Sequence, residues 1–211
     1  MFGFDLVGLI KAVGYLGLFG IIFAESGLLI GFFLPGDSLL FTAGFLASQG
    51  FLDIGWLMAI TFTGAVLGDS FGYAFGRKVG HRIFKREDSF LFHRDNLERA
   101  QKFYQAHGGK AIIMARFLPV VRTFAPILAG IGKMRYGTFL SYNVAGGFLW
   151  AVGLSWLGYW LGNTVPNIDK YLVPLILVIV IASMLPSIIH ILKNKTHRRQ
   201  IAEFLKSKLK L

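Results

Sequence analysis

Long apolar runs, each interrupted by a few charged or proline positions, set the pattern of this chain. The most telling run is 111–132, AIIMARFLPVVRTFAPILAGIG. A helix crossing hydrocarbon needs about 20 apolar residues. This stretch has the length, but it carries Arg116 and Arg122 and is interrupted by Pro119 and Pro126. Ionisable groups at membrane depth are costly and face a protein interior. Broken helices are tolerated there only when they are buried in protein or line a cavity. The pattern predicts a re-entrant element of two arms with a basic centre, housed by the rest of the chain.

Before it, residues 1–24 are mostly apolar, and their second half predicts a first membrane helix, with Lys11 holding the N-terminus on the cytoplasmic side. Glu25 closes that run. Residues 26–50 are apolar but punctuated by Pro35-Gly36-Asp37. Pro-Gly-Asp is a turn signal, and Asp37 or Ser38 suits the cap of the helix that follows. Each arm is too short to span alone, which predicts a second re-entrant hairpin with Pro35, Gly36, Pro119 and Pro126 as the breaks of the two hairpins. Residues 51–80 hold one full span. In it Gly64, Gly68, Gly72, Gly76 and Gly80 recur every fourth residue, a small-residue ridge for helix packing. A polar loop, 81–110, carries an amphipathic helix over 96–105. Residues 136–168 contain no formal charge and predict a span ending near Leu161; 171–192 predict a final span.

Composition agrees with the pattern. Hydrophobic residues make up 55% of the 211, charged residues 16%, and the chain has 26 Gly and 21 Phe. A soluble domain of this size does not hide so many apolar runs. The net charge of +11 is concentrated. Residues 82–110 hold seven Lys/Arg against four Asp/Glu, and the tail from Lys193 holds seven Lys/Arg against Glu203. Flanking apolar segments as they do, these blocks are read as cytoplasmic flanks rather than as a nucleic-acid surface. The predicted topology has both termini and the 81–110 loop cytoplasmic, with the turns 49–53 and 163–170 opposite. No cysteine is present, and the five histidines form no metal set. No cofactor motif and no cleavable signal segment are read.

Two stretches repeat. FFLPGDSLLFTAGF at 32–45 matches RFLPVVRTFAPILAGI at 116–131, and Gly72–Gly76 matches Gly158–Gly162, with 28 residues from Gly44 to Gly72 and from Gly130 to Gly158. The hairpins open to opposite sides, so the repeats are inverted, the usual build of secondary transporters. The expected fold is an all-α polytopic membrane protein. It has inverted repeats at about 26–80 and 111–165, each a re-entrant helical hairpin plus a transmembrane helix. An N-terminal membrane helix, the final span at 171–192 and the basic tail 193–211 complete it.

The chemistry centres on Glu25, Asp37, Arg116 and Arg122. Pro119 lets both arginines point into one cavity, where two guanidinium forks suit a phosphate. At membrane depth desolvation favours a protonated carboxyl group and a facing guanidinium favours the charged one. Glu25 and Asp37, with Asp69 as a third acid, therefore suit proton coupling. The blander roles are capping for Asp37, packing for Asp69, and snorkelling or simple ion pairs for the arginines. Helix packing is the reading for Gly64, Gly68, Gly72, Gly76, Gly158 and Gly162.

These residues resemble those of the DedA family of bacterial inner-membrane proteins, also called the SNARE-associated or VTT-domain family. The resemblance runs from about Leu16 to Gly162. It rests on Glu25, Phe33-Leu-Pro-Gly-Asp37, Gly64-x-x-x-Gly68-Asp69-x-x-Gly72-Tyr73-x-x-Gly76-Arg77, and Arg116-Phe-x-Pro119-x-x-Arg122 with Ala129-Gly130. It implies movement of a lipid phosphate across the inner membrane, either undecaprenyl phosphate or a phospholipid such as phosphatidylethanolamine. Glu25 and Asp37 would couple protons, and Arg116 and Arg122 would engage the headgroup. The implied partners are membrane lipids and protons, with no nucleic acid, and homo-oligomerisation is compatible. A proton-coupled small-ion exchanger and a non-transporting membrane scaffold are the competing classes. An enzyme is not expected, because no histidine neighbours the arginines as a phosphate nucleophile.

Overall fold

The computed structural model describes residues 6–28, 35–83 and 108–164. Described residues that are in regular structure are all helical. The elements are α1 (Leu6–Gly27), α2 (Gly36–Ser48), α3 (Ile54–Ile83), α4 (Lys110–Arg116) and α5 (Pro119–Ile131). α6 (Tyr136–Gly147) then runs through a π-helical turn at Phe148–Val152 into α7 (Gly153–Thr164). Among the described residues, three helical stretches are long and apolar enough to cross a membrane: Val7–Gly27, Ile54–Val79 and Tyr136–Thr164. The chain is a multi-pass membrane protein. The expected spans at 51–80 and from Tyr136 are observed. The helix at 96–105, the final span at 171–192 and the tail lie outside the described residues.

Glycine decides how these helices approach. α1 runs alongside α3 in the same direction: a Cβ on Gly64 would lie 3.0 Å from the carbonyl oxygen of Phe19, and one on Gly68 2.6 Å from that of Phe23. Small residues permit such backbone contact between membrane helices. Two further seams match each other. On α2, a Cβ at Gly44 would overlap the carbonyl oxygen of Ser155 on α7, and one at Gly158 that of Phe41. On α5, a Cβ at Gly130 would overlap the carbonyl oxygen of Tyr73 on α3, and one at Gly76 that of Ile127. Gly158 is thus matched by Gly76, one helical turn beyond the Gly72 that the sequence spacing selects. Gly72 instead faces Gly27 and Pro126 at ordinary contact distances.

Several expected boundaries move. Glu25 does not end the first helix, which continues to Gly27. α1 has a break at Gly14 (φ 57°), a left-handed conformation that glycine adopts without steric cost. α1 and α2 lie antiparallel. Glu25 packs against Gly36 at one end, and at the other the Asp53 N–H donates to the Tyr15 hydroxyl oxygen at 2.6 Å. Lys11 Nζ sits 3.8 Å from the Phe51 ring centroid. The start of α1 therefore stands beside the 49–53 turn, whereas the sequence reading put the two on opposite faces. Lys11, expected as a cytoplasmic anchor, instead has its charge met by the ring of Phe51.

Proline behaves differently from expectation as well. The break between α4 and α5 falls at Phe117–Leu118. Pro119 opens α5 at its first position, where a missing N–H costs nothing. Pro126 does not break α5 but lies inside it. Asp37 is no cap: α2 begins at Gly36 with Pro35 ahead of it, and no side chain caps it. One core cluster joins Ile10, Leu18 and Ile22 of α1 to Leu39, Leu40 and Leu46 of α2, Leu57 and Ala65 of α3, and Trp150. A second joins Tyr73 to Ile112, Ala129 and Phe139.

Candidate functional site

Two arginines, each at a helix end, are buried between these elements. Arg122 lies in the first turn of α5, Glu25 in the last turns of α1, and Asp37 in the first turn of α2. Because α1 and α2 are antiparallel, the two acids meet at the same depth. Arg122 Nη2 pairs with Glu25 Oε1, and Nη1 donates to Asp37 Oδ1 at 2.6 Å. Glu25 is fully buried, and a Cβ on Gly36 would overlap its carboxylate, so position 36 is glycine for close approach.

Arg116, in the last turn of α4, is held by a different set. Its Nη2 pairs with Asp69 Oδ2, donates to Asn143 Oδ1 at 2.5 Å and reaches the Ala65 carbonyl at 3.4 Å. Asn143 Nδ2 donates to the Val66 carbonyl at 3.0 Å, so both ends of the amide are used and its orientation is defined. Gly146 and Gly147 leave room for the guanidinium, since a Cβ on Gly146 would lie 3.2 Å from Arg116 Cδ.

Trp150 joins the two sets. Its Nε1 donates to Asp37 Oδ1 at 2.7 Å, and its ring centroid lies 4.9 Å from Arg122 Cζ and 5.7 Å from Arg116 Cζ. The π-helical turn at Phe148–Val152 carries this side chain; such turns are frequent at functional sites. The five charged residues singled out from the sequence thus converge on one buried region, divided into an Arg122 set and an Arg116 set. Asp69 belongs to the second rather than to Glu25 and Asp37. Trp150 and Asn143 are the residues sequence reasoning missed. The available signal for Asn143 was an amide inside the long uncharged run from Tyr136. Trp150 gave none, since a tryptophan is unremarkable in a membrane segment.

Three carboxylates face two guanidiniums, leaving one negative charge in excess when all are ionised. The Nε atoms of both arginines are buried without a hydrogen-bond partner among the described residues. The site therefore combines three carboxylates with unpartnered guanidinium donors. Burying a guanidinium donor unpaired is unfavourable.

Residues 34–160 match the VTT domain family. The chain is 44% identical to protein DedA of Escherichia coli K12 over 183 residues, 86% of this chain and 83% of that one. It is 45% identical over 169 residues to an uncharacterized membrane protein of Mycobacterium leprae, covering 80% and 75% of the two chains. With the inner membrane protein YqjA of Escherichia coli K12 it shares 36% identity over 159 residues, 74% and 71% of the chains. No solved structure matches.

Proposed function

We propose, for a chain that belongs to the DedA family of VTT-domain membrane proteins, that it is a proton-coupled transporter of a lipid phosphate in the bacterial inner membrane. The observation that carries this reading is Arg122 held at once by Glu25 and Asp37. Protonation of the two acids removes both of its counter-charges. A phosphate headgroup then takes their place on the guanidinium fork, whose geometry matches it. Loss of the protons restores the carboxylates and expels the phosphate. Proton binding and phosphate binding are thereby coupled through one side chain. The substrate is undecaprenyl phosphate or a phospholipid such as phosphatidylethanolamine.

The architecture we propose for this cycle is a pair of inverted repeats. In the first, residues 15–27 of α1 and α2 form a re-entrant hairpin followed by α3. In the second, α4 and α5 form the hairpin, followed by α6 and α7. The matched seams of Gly44 and Gly158 against Gly130 and Gly76 support this pairing. The basic segments 82–110 and 193–211 face the cytoplasm, with the start of α1 and the 49–53 turn opposite.

Purified protein in lipid vesicles, titrated separately with undecaprenyl phosphate and phosphatidylethanolamine, tests the reading. Saturable binding that falls in Arg122→Lys and vanishes in Arg122→Ala is expected. Truncating one partner of a buried charge pair costs roughly 2–5 kcal/mol, a loss of about 30-fold or more. Equal binding by Arg122→Ala, or no binding of either lipid by the parent, refutes the mechanism. A mutant that loses only sodium or potassium flux assigns the site to small-ion exchange.

A further inference from the structure

A cavity of about 650 Å3 opens near the end of α3, away from the Arg122 cluster. It is lined by Tyr73, Arg77, Lys78, Arg135 and Tyr136, together with Ser70. Three cations converge on it, and no carboxylate lines it among the described residues. Arg77 is not a loose surface side chain. Its Nη1 donates to the Tyr73 hydroxyl at 2.8 Å and lies 3.4 Å from the Met134 carbonyl oxygen, which also accepts from the Tyr73 hydroxyl. Tyr73 is itself fixed, buried and stacked on Phe139 with ring centroids 4.5 Å apart. Arg135 stands at the cap of α6, on extended backbone immediately before the span that begins at Tyr136.

The level of the cavity identifies its ligand. The membrane span of α3 ends at Val79, so Arg77 and Lys78 lie in its last turn, and Arg135 precedes the first residue of the next span. Cations and tyrosines at the ends of spans sit at headgroup depth. A cation that merely snorkels needs no fixed wall. Here a buried tyrosine and a carbonyl hold the guanidinium in place beside a lysine and a second arginine. We infer that this cavity binds the phosphate of an anionic lipid headgroup, at a site separate from the Arg122 cluster. The separation is set by α5: Gly130 in its last turn abuts the Arg77 backbone. Arg122 lies eight residues earlier, about 12 Å along the helix axis. The site does not depend on the proposed transport reaction.

The test uses the full chain in phosphatidylcholine nanodiscs, with equilibrium binding of labelled phosphatidic acid. Each juxtamembrane cation is worth about five-fold in affinity, equivalent to about 1 kcal/mol. The variant Arg77→Gln/Lys78→Gln/Arg135→Gln is therefore expected to lose about 100-fold. Lys78→Gln/Arg135→Gln, which alters only exposed side chains and spares the Tyr73 contact, is expected to lose roughly 25-fold. Arg122→Ala should leave this binding class unchanged, so failure here is distinguishable from failure of the central site. Undiminished binding by the double variant overturns the proposal, as does loss of this class in Arg122→Ala. Inorganic phosphate supplies the second arm. Displacement of the lipid by an equal concentration of phosphate would make this a free-anion site and overturn the lipid assignment.

Discussion

The two arginine clusters contain the same chemistry but are built differently. Arg122, in the first turn of α5, is gripped by carboxylates at the ends of two other helices: Glu25 in the last turns of α1 and Asp37 in the first turn of α2. Arg116 is gripped by Asp69, Asn143 and a backbone carbonyl, all well inside long helices. Helix-end positions can shift with less disturbance to a ladder of backbone hydrogen bonds than mid-helix positions can. The Arg122 cluster is suited to exchange its partners. The Arg116 cluster is suited to hold α4 against α3 and α6.

That contrast is open to attack by substitution. The largest effect is expected from Asp69→Ala. An arginine does not lose its proton in a protein, so Arg116 would be left as an uncompensated buried charge, at about 3–5 kcal/mol. Thermal unfolding in detergent should show the loss, and a variant as stable as the parent would remove the distinction between anchor and exchanger. A smaller effect, about 1.5–3 kcal/mol, is expected from Trp150→Phe. It keeps a ring beside both arginines but deletes the donor to Asp37. In double-mutant cycles it should couple to Asp37→Asn and not to Asp69→Asn; equal coupling to both would merge the clusters into one unit. The smallest change in stability, within about 1 kcal/mol, is expected for Glu25→Gln and Asp37→Asn, because each leaves Arg122 one carboxylate and keeps a hydrogen-bonding group. Their effect belongs in transport. Reconstituted protein should lose its pH dependence while still folding, and an unaltered rate and pH profile would end the exchange role.

The sequence made the charged residues legible because a charge within an apolar run has few explanations other than a site. Glu25, Asp37, Asp69, Arg116 and Arg122 all reach the same buried region. Their partition was not legible, since it depends on which helices cross. Asn143 and Trp150 carry no anomalous charge and become visible only through their partners. The sequence spacing pairs Gly158 with Gly72, whereas the matching helix contact falls at Gly76, because α3 offers glycine every fourth residue and both satisfy the same local spacing. What separates them is the close approach of the Ile127 backbone to Gly76, where Gly72 meets only its side chain at ordinary distance. The end of α1 lies beyond Glu25, which reads in the sequence as a terminator. A charged residue can continue a helix when an arginine from elsewhere in the chain meets it.

The unequal count of acids and bases at the centre has an electrical consequence. With Glu25, Asp37 and Asp69 all ionised against Arg116 and Arg122, the group carries one net negative charge; with one proton bound it carries none. Moving a full elementary charge across a membrane at 100 mV involves about 2.3 kcal/mol. Any step that displaces the ionised group through part of that field therefore feels the voltage in proportion to the distance moved. The same step taken with one proton aboard is indifferent to it. In the proposed cycle the proton would thus do more than admit a ligand: its presence would also decide how strongly the membrane potential acts on the group.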